Sequence, residues 1–448
     1  MFQQSKLLAR ISLLLIICNY SFAQQKIKII SATELTTQTY QGKKITKLIG
    51  NVVLSQKDVI LKCNRAELFK QENKVHAFGN VHINQGDTVN IYSDSLKYFG
   101  NKKQAIFYNN VKLISKDLKI VTDKLGYNLK TKQASYFTEA IITSEDMTLT
   151  SLKGIYDAPS KNMYFQHDVK LSSNNFKLYS DTLKYHIPSK TSYFYAYTTL
   201  IDGDNIIYCN SGWYNKNSQK AFLTNRAKVW SDGQILSADT IFLDNKRGIS
   251  EAFSEMEWID TTNKMIVNSD YAKFYQKEEK ILATKHLLLS KITTDDTLFL
   301  TADTLRAYLE LPDSVRTFIV YHDVKIYSQQ LQGICDSLSF SYKDSLIRLF
   351  REPILWSNKT QMTADSINLE MKHNELTKIN MIKNALIVNQ SDSTGILYNQ
   401  IKGKNIYGFM DSSQLSKLLV NGNGESIYFT KDDSNKYFGD NKAICSDM

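Results

Sequence analysis

Hydrophobic and polar residues alternate along most of the chain, and the alternation changes phase at regular intervals. In Ile91-Tyr92-Ser93-Asp94-Ser95-Leu96-Lys97-Tyr98, Ile91 and Ser93 precede the aspartate on one face, and Leu96 and Tyr98 follow it on the other. Versions of this stretch return around Asp123, Asp181, Asp239, Asp270, Asp303, Asp336 and Asp365. With the aspartate taken as an anchor, the third residue before it is apolar at Ile120, Leu178 and Leu236, and the residue just before it is small at Thr122, Ser180 and Ala238. Two and four residues after it stand Leu125 and Tyr127, then Leu183 and Tyr185, and Ile241. In a strand, positions −3 and −1 share one face and +2 and +4 the other. An inward face that switches parity inside an uninterrupted strand needs a bulge or sharp bend, the device by which strands pass from one sheet to another. The anchor is therefore predicted to be a corner, its carboxylate accepting backbone N–H groups that the bulge leaves unpaired.

From Asp94 to Asp239 the anchor spacing is 29 residues five times running, then 31, 33, 33 and 29, which marks a repeat protein. Between anchors lies a second strand type with its own corner, as in Gly79-Asn80-Val81, Asn109-Asn110-Val111, His167-Asp168-Val169 and His322-Asp323-Val324. Turn signals such as Gly100-Asn101 and Asp232-Gly233 separate the two types, which makes neighbours antiparallel. The predicted fold is all-β: an elongated, repeat-built antiparallel β-jellyroll, a V-shaped twisted trough with about two bent strands per ~29-residue repeat. At ~4.8 Å between strands the trough is expected to run on the order of 130 Å. Since stacked repeats bury their apolar faces only against neighbours, residues 24–448 are expected to form one continuous domain. Repeats are more irregular from about residue 366, with loops expected at Gln390–Tyr398 and Asp411–Gly424. Asp447 is an anchor whose strand is incomplete, so either the sequence is cut short or another molecule completes that edge.

Composition sharpens this in three places. Lys6 and Arg10 precede an apolar run from Ile11 to Cys18, and Ser21-Phe22-Ala23 supplies small residues, so residues 1–23 read as a cleavable secretory signal peptide. Export places the mature chain in the periplasm, with association to the outer membrane as a further expectation. Cys63, Cys209, Cys335 and Cys445 sit within two residues before an anchor and several repeats apart, too far for disulfides, and read as small buried residues. The net charge of +10 suits acidic partners, yet lysines are scattered through turns and alternate strand positions. That reads as a solvated positive surface, with nucleic acid excluded as a partner of an exported protein.

Catalytic and metal motifs are absent: there is no HExxH, paired CxxC, Gly-rich phosphate loop or GxSxG, and no cofactor is implied. His167 and His322 each precede an aspartate at the same repeat position, but adjacent strand residues are expected on opposite faces. The anchor aspartates read as structural corners, with a calcium or catalytic ladder as the alternative. Leu152 and Lys404 stand where the acid is missing. The aromatic stripe from Tyr98 to Phe274 suits either a core ladder or a sugar groove. Ile91, Leu96, Tyr98, Ile120, Leu125, Tyr127, Leu178, Leu183, Tyr185, Leu236 and Ile241 are the expected trough lining.

A signal peptide followed by strands reading Gly-Asn-Val-x-Ile and then Ser/Ala-Asp-x-Leu-x-Tyr at this period resembles the OstA-like family, which includes periplasmic lipopolysaccharide-transport bridges and the N-terminal domain of an outer-membrane assembly protein. The resemblance extends over roughly Lys26 to Met448. It implies a β-jellyroll whose interior carries lipopolysaccharide acyl chains, with head-to-tail strand addition to other transport proteins or to a second copy, and an outer-membrane barrel as a partner. The chain is longer than a single-domain bridge and lacks the barrel. The strands around Ile29 to Leu35 and Ile427 to Asp447 are the expected joining edges, and no enzymatic activity is expected. The rival readings are a secreted β-repeat carbohydrate-active enzyme, such as a parallel β-helix lyase or hydrolase, and a structural adhesin or scaffold.

Overall fold

The computed structural model describes residues 26–447 except 41, 87–88, 145–146, 174–175, 294–295, 311–313, 330, 342, 373–374, 393–394, 412–413 and 432–435; the signal-peptide segment lies outside the described residues. The described residues are almost entirely strand, with one 3₁₀ turn at Gln276–Glu278. The chain divides into two compact units at Pro188/Ser189.

In the first unit the strands Lys43–Gln56, Val59–Phe69, Lys74–Gln85, Val89–Phe99, Gln104–Ser115 and Lys119–Asn128 pair antiparallel, each with the next along the chain. Further on, strands divide at the corner into halves, Gln133–Tyr136 with Ala140–Ser144 and Met147–Ser151 with Lys153–Asp157, before Asn162–Ser173 and Phe176–His186. The second unit opens with divided strands, continues through undivided ones from Lys220–Ser231 to Gln332–Ser341, and divides again at Leu346–Phe350/Ile354–Ser357 and Thr360–Thr363/Ser366–Lys372. Asp411–Gly424 departs from its expected loop: the strand Gln414–Lys431 runs through it, because Gly422 and Asn423 are a corner inside a strand.

Burial follows the predicted change of parity. In Val89–Phe99 the buried residues are Val89, Ile91 and Ser93, then Leu96 and Tyr98, with Asp94 and Ser95 between them facing out. The bulge, however, lies on the other strand. Phe78 pairs with Ser95 and Val81 with Ser93, so two residues, Gly79 and Asn80, stand opposite the single anchor Asp94. Asn109 and Asn110 likewise stand opposite Asp123. Both members of each such pair have positive φ: Gly79 73° and Asn80 48°, Asn109 60° and Asn110 51°, His167 64° and Asp168 51°. Two successive left-handed residues turn the strand and expose both their side chains, which corrects the expected opposite facing of His167 and Asp168: each is on the outer surface. Glycine, Asn, Asp and His tolerate this conformation best. At Gly79 a side chain would also meet a neighbour, since a Cβ would stand 2.9 Å from Asn64 Nδ2.

Candidate apolar interior

Each bent strand contributes one half to each of two facing half-sheets, and the inward residues of both halves meet between them. In the first unit this interior is closed. Ile91, Leu96, Ile120, Leu125, Leu178 and Leu183 are between 0 and 1% exposed, and Tyr98, Tyr127 and Tyr185 between 3 and 7%. In the second unit Ile241 is fully buried but Leu236 is only half-buried. So are Tyr214, Leu243, Phe274 and Phe340, the counterparts of Tyr98 four residues after their anchors. A cavity of about 10 Å³ there is walled by apolar side chains of both half-sheets, among them Met256, Trp258, Met265, Phe274 and Phe318. That is room for about one water. A cavity of the same size lies in the first unit between Leu54, Ile83 and Tyr98.

The corner aspartates are all outside this interior. Asp94, Asp123, Asp181, Asp239, Asp303 and Asp365 are exposed, and Asp270 and Asp336 are half-buried. Most of the resolved contacts tie a carboxylate to a side chain of the neighbouring corner pair, in place of the expected backbone N–H. Asn110 Nδ2 donates to Asp94 (2.8 Å), Asn384 Nδ2 to Asp365 (2.9 Å) and Arg351 Nη1 to Asp336 (3.1 Å). His286 Nδ1 stands 2.6 Å from Asp270, and His167 Nδ1 3.3 Å from Asp181. The expected backbone bond is found at Asp447, whose Oδ1 accepts from Gly422 N–H at 2.8 Å. Thr304 Oγ1 donates to Asp303, its own neighbour in the chain. The residues just before the anchors point inward, including Cys63, Cys209 and Cys335. All four cysteines among the described residues are free. Burial pushes the thiols of Cys63 up to about 11 and of Cys209 and Cys335 up to about 12, which leaves them protonated and inert at neutral pH. Among the described residues no three His, Cys, Asp or Glu side chains are placed to hold a metal ion, and no helix is long and apolar enough to cross a membrane.

Sequence reasoning missed a set of polar residues inside the first unit. Gln56 and Gln85 end their strands at the mouth of the V, opposite the corner, on inward positions, and are 6 and 7% exposed. The Tyr98 hydroxyl donates to Gln56 Oε1, and Gln56 Nε2 donates to the Gly100 carbonyl at 3.3 Å. One repeat on, the Tyr127 hydroxyl donates to Gln85 Oε1 at 3.1 Å, and Gln85 Nε2 to the Leu129 carbonyl at 3.0 Å. In the next repeat the Tyr156 hydroxyl meets the side chains of Ser115 and Asp117, and Lys161 Nζ pairs with Asp117. Each rung joins the outer end of one half-sheet to the outer end of the other. Burial pushes the Tyr98 and Tyr127 hydroxyls up to about 12. The available sequence signal is a glutamine where the alternation calls for an apolar residue, repeated after 29 positions.

No curated protein matches the chain. Among solved structures it is similar to LptH, the LptA-homologous periplasmic component of the lipopolysaccharide transport device of Pseudomonas aeruginosa. Identity there is 20% over 23% of this chain and 76% of that one, with a TM-score of 0.21. The model of the OstA-like protein family matches residues 24–181. The chain thus carries an OstA-like segment over those residues, the stretch in which the Asp94, Asp123 and Asp181 corners and the buried Tyr–Gln rungs lie.

Proposed function

We propose that the chain binds lipopolysaccharide and carries it across the periplasm as a hydrophobic conduit between inner and outer membranes, in the service of outer-membrane assembly. The observation that carries this reading is the interior itself: strand after strand turns apolar side chains inward between two half-sheets held together at outward-facing corners. Acyl chains leaving water for such a lining gain ~25 cal/mol per Å² buried, while sugars and phosphates stay in water beside the surface lysines. The OstA-like segment points the same way. The mechanism is physical: the half-sheets part, the chains enter, and no bond is made or broken, so no cofactor or catalytic group has a role.

The residues 1–23 signal peptide brings the chain to the periplasm, and residues 24–448 act as one OstA-like jellyroll domain. Ile91, Leu96, Tyr98, Ile120, Leu125, Tyr127, Leu178, Leu183, Tyr185, Leu236 and Ile241 form part of the lining. Partners are other lipopolysaccharide-transport proteins, a second copy and an outer-membrane barrel, joined by strand addition. The edges for it are exposed: Ile30 and Leu35 at one, Tyr428 and Ile444 at the other.

The test is photocrosslinking in cells, with a reactive residue at Leu183 or Ile241 against outward Tyr179 or Phe222. Lipopolysaccharide adducts from the inward positions alone are expected. Adducts from the outward positions alone, or none, would overturn the reading.

A further inference from the structure

We infer that the Tyr98–Gln56 and Tyr127–Gln85 rungs are a latch that holds the mouth of the first unit shut, so that an apolar guest reaches its interior only when the rungs part. This rests on the conduit reading for the guest, though the latch itself stands on geometry. Both rungs occupy the mouth of the V, the one side where the half-sheets have no covalent or ladder connection, since the corner joins them at the other side. Each glutamine also grips a backbone carbonyl beyond the end of the facing half-sheet, Gly100 or Leu129. A rung is therefore two bonds across the gap rather than one.

Polar pairs inside an apolar core are costly unless satisfied, and satisfied networks hold one arrangement against its alternatives. Parting the half-sheets breaks both bonds of a rung in concert. It then exposes the polar atoms to water, where they are satisfied again. Such a latch resists small separations and costs little once the mouth is open, which suits a wall that must admit a guest and reseal. The second unit supplies the contrast. Tyr214 keeps the tyrosine there, but at Leu243 and Phe274 the position of Tyr98 has no polar atom to bond across the mouth, and both are half-exposed. Guests accordingly enter the second unit beside Leu243 and Phe274 without breaking a tyrosine bond at those positions, through the walls of the small apolar cavity where Met256 and Met265 supply flexible side chains.

The experiment uses the full mature chain, as wild type and as Tyr98→Phe/Tyr127→Phe, with the two single substitutions as milder versions if the double variant does not fold. Hydrogen exchange is followed by mass spectrometry, and in parallel a diazirine-bearing fatty acid is photolysed with each protein and its adducts are mapped. Amide exchange at residues 54–57, 83–86, 96–99 and 125–129 is expected to quicken by about tenfold per rung, with strands of the second unit unchanged. In wild type the adducts are expected on Met256, Met265 and Phe274, and in the variant also on Ile91 and Leu96. Exchange that does not change at the rungs, or wild-type labelling as strong in the first unit as in the second, overturns the latch. Quickened exchange with no labelling of either protein leaves the latch standing and overturns the conduit reading instead.

Discussion

Four residues after the anchor, the first unit places Tyr98, Tyr127, Tyr156 and Tyr185, all buried, and the second places Tyr214, Leu243, Phe274 and Phe340, all half-buried, beside the buried Ala307 and Leu369. The inward +2 and +4 alternation following an outward anchor is the same at these positions, and with Tyr214 half-buried and Leu369 buried the difference lies in what faces each side chain as well as in the side chain itself. A tyrosine can fill the mouth and bond across it, whereas a leucine or phenylalanine fills it without closing it. The corners differ as well. The first unit turns on Gly50-Asn51, Gly79-Asn80, Asn109-Asn110 and His167-Asp168; the second has Gly422-Asn423 but also turns on Ser254-Glu255, Lys285-His286 and Arg351-Glu352 in the same left-handed conformation. Those bulkier residues pay roughly 1–2 kcal/mol each for positive φ. One repeat pattern thus gives a tightly sealed stack in one unit and a looser one in the other.

The sharpest way to break this comparison is to cut equivalent cavities in the two units. Phe107→Ala removes a side chain that is 0% exposed and is expected to cost ~3–5 kcal/mol. Phe274→Ala, from a half-buried position, should cost half of that or less. Because repeat stacks lose stability locally, the reading is exchange protection in each unit. Tryptophan fluorescence adds an independent report on the second unit, which holds Trp213, Trp230, Trp258 and Trp356, all four in the chain. Equal losses would mean that the second interior is as tightly packed as the first.

Alkaline pH is the next strongest probe. The folded first unit holds the Tyr98 and Tyr127 hydroxyls at about 12 against an ordinary 10, so the folded state keeps these protons more tightly than the unfolded chain. The stability this supplies is complete below pH 10 and is lost as pH rises through 10 to 12, by roughly 2–3 kcal/mol per tyrosine. Leu243 and Phe274 cannot titrate. Urea unfolding at pH 8 and at pH 11 is expected to show the loss in wild type and, in Tyr98→Phe/Tyr127→Phe, a loss smaller by the share of these two tyrosines, the remainder coming from other groups held up by burial, Tyr136, Tyr271 and the thiols of Cys63, Cys209 and Cys335; equal losses would place the sensitivity wholly in those groups.

The corners give a smaller effect of opposite sign in the two units. Gly79→Ala puts a side chain at φ 73° and against Asn64, at an expected cost of ~1–2 kcal/mol. Glu255→Gly relieves a non-glycine residue at φ 51° and should stabilise by up to about 1 kcal/mol. Thermal melts of the two variants check the signs, and a destabilised Glu255→Gly would show that the second unit's corners are held by side-chain contacts.

Much of this architecture was legible along the chain, because the parity switch around Asp94 is written in four side chains whose inward or outward facing follows from strand geometry. The strand that carries the extra residue was not legible. Two-against-one is a property of a pair of strands, and both Gly79-Asn80 and Asp94 sit at changes of phase. The Tyr–Gln rungs were hidden for a related reason. Tyr98 and Gln56 are 42 residues apart and on opposite half-sheets, so neither their alternation nor their period shows that they meet. The half-open second interior was hidden too, since Phe274 reads as core in any alternation and its exposure depends on what faces it. Gly422-Asn423 was misread as loop because its composition is that of a turn, although the same two residue types make a corner inside a strand.

The smallest expected effect concerns the residues that make the repeat visible. Asp94 is exposed and holds Asn110 at 2.8 Å; Asp270 is half-buried and faces His286 at 2.6 Å. Water screens both contacts, and the turn they decorate is set by the left-handed backbone of the neighbouring strand. Asp94→Ala and Asp270→Ala are therefore each expected to change stability by about 0.5 kcal/mol or less, in the range of ordinary surface substitutions. Differential scanning calorimetry of the two variants at neutral pH reads this directly. A loss beyond ~1 kcal/mol in one unit only would mean that its corner depends on the carboxylate, and the difference between the units would then begin at the bends as well as at the mouth.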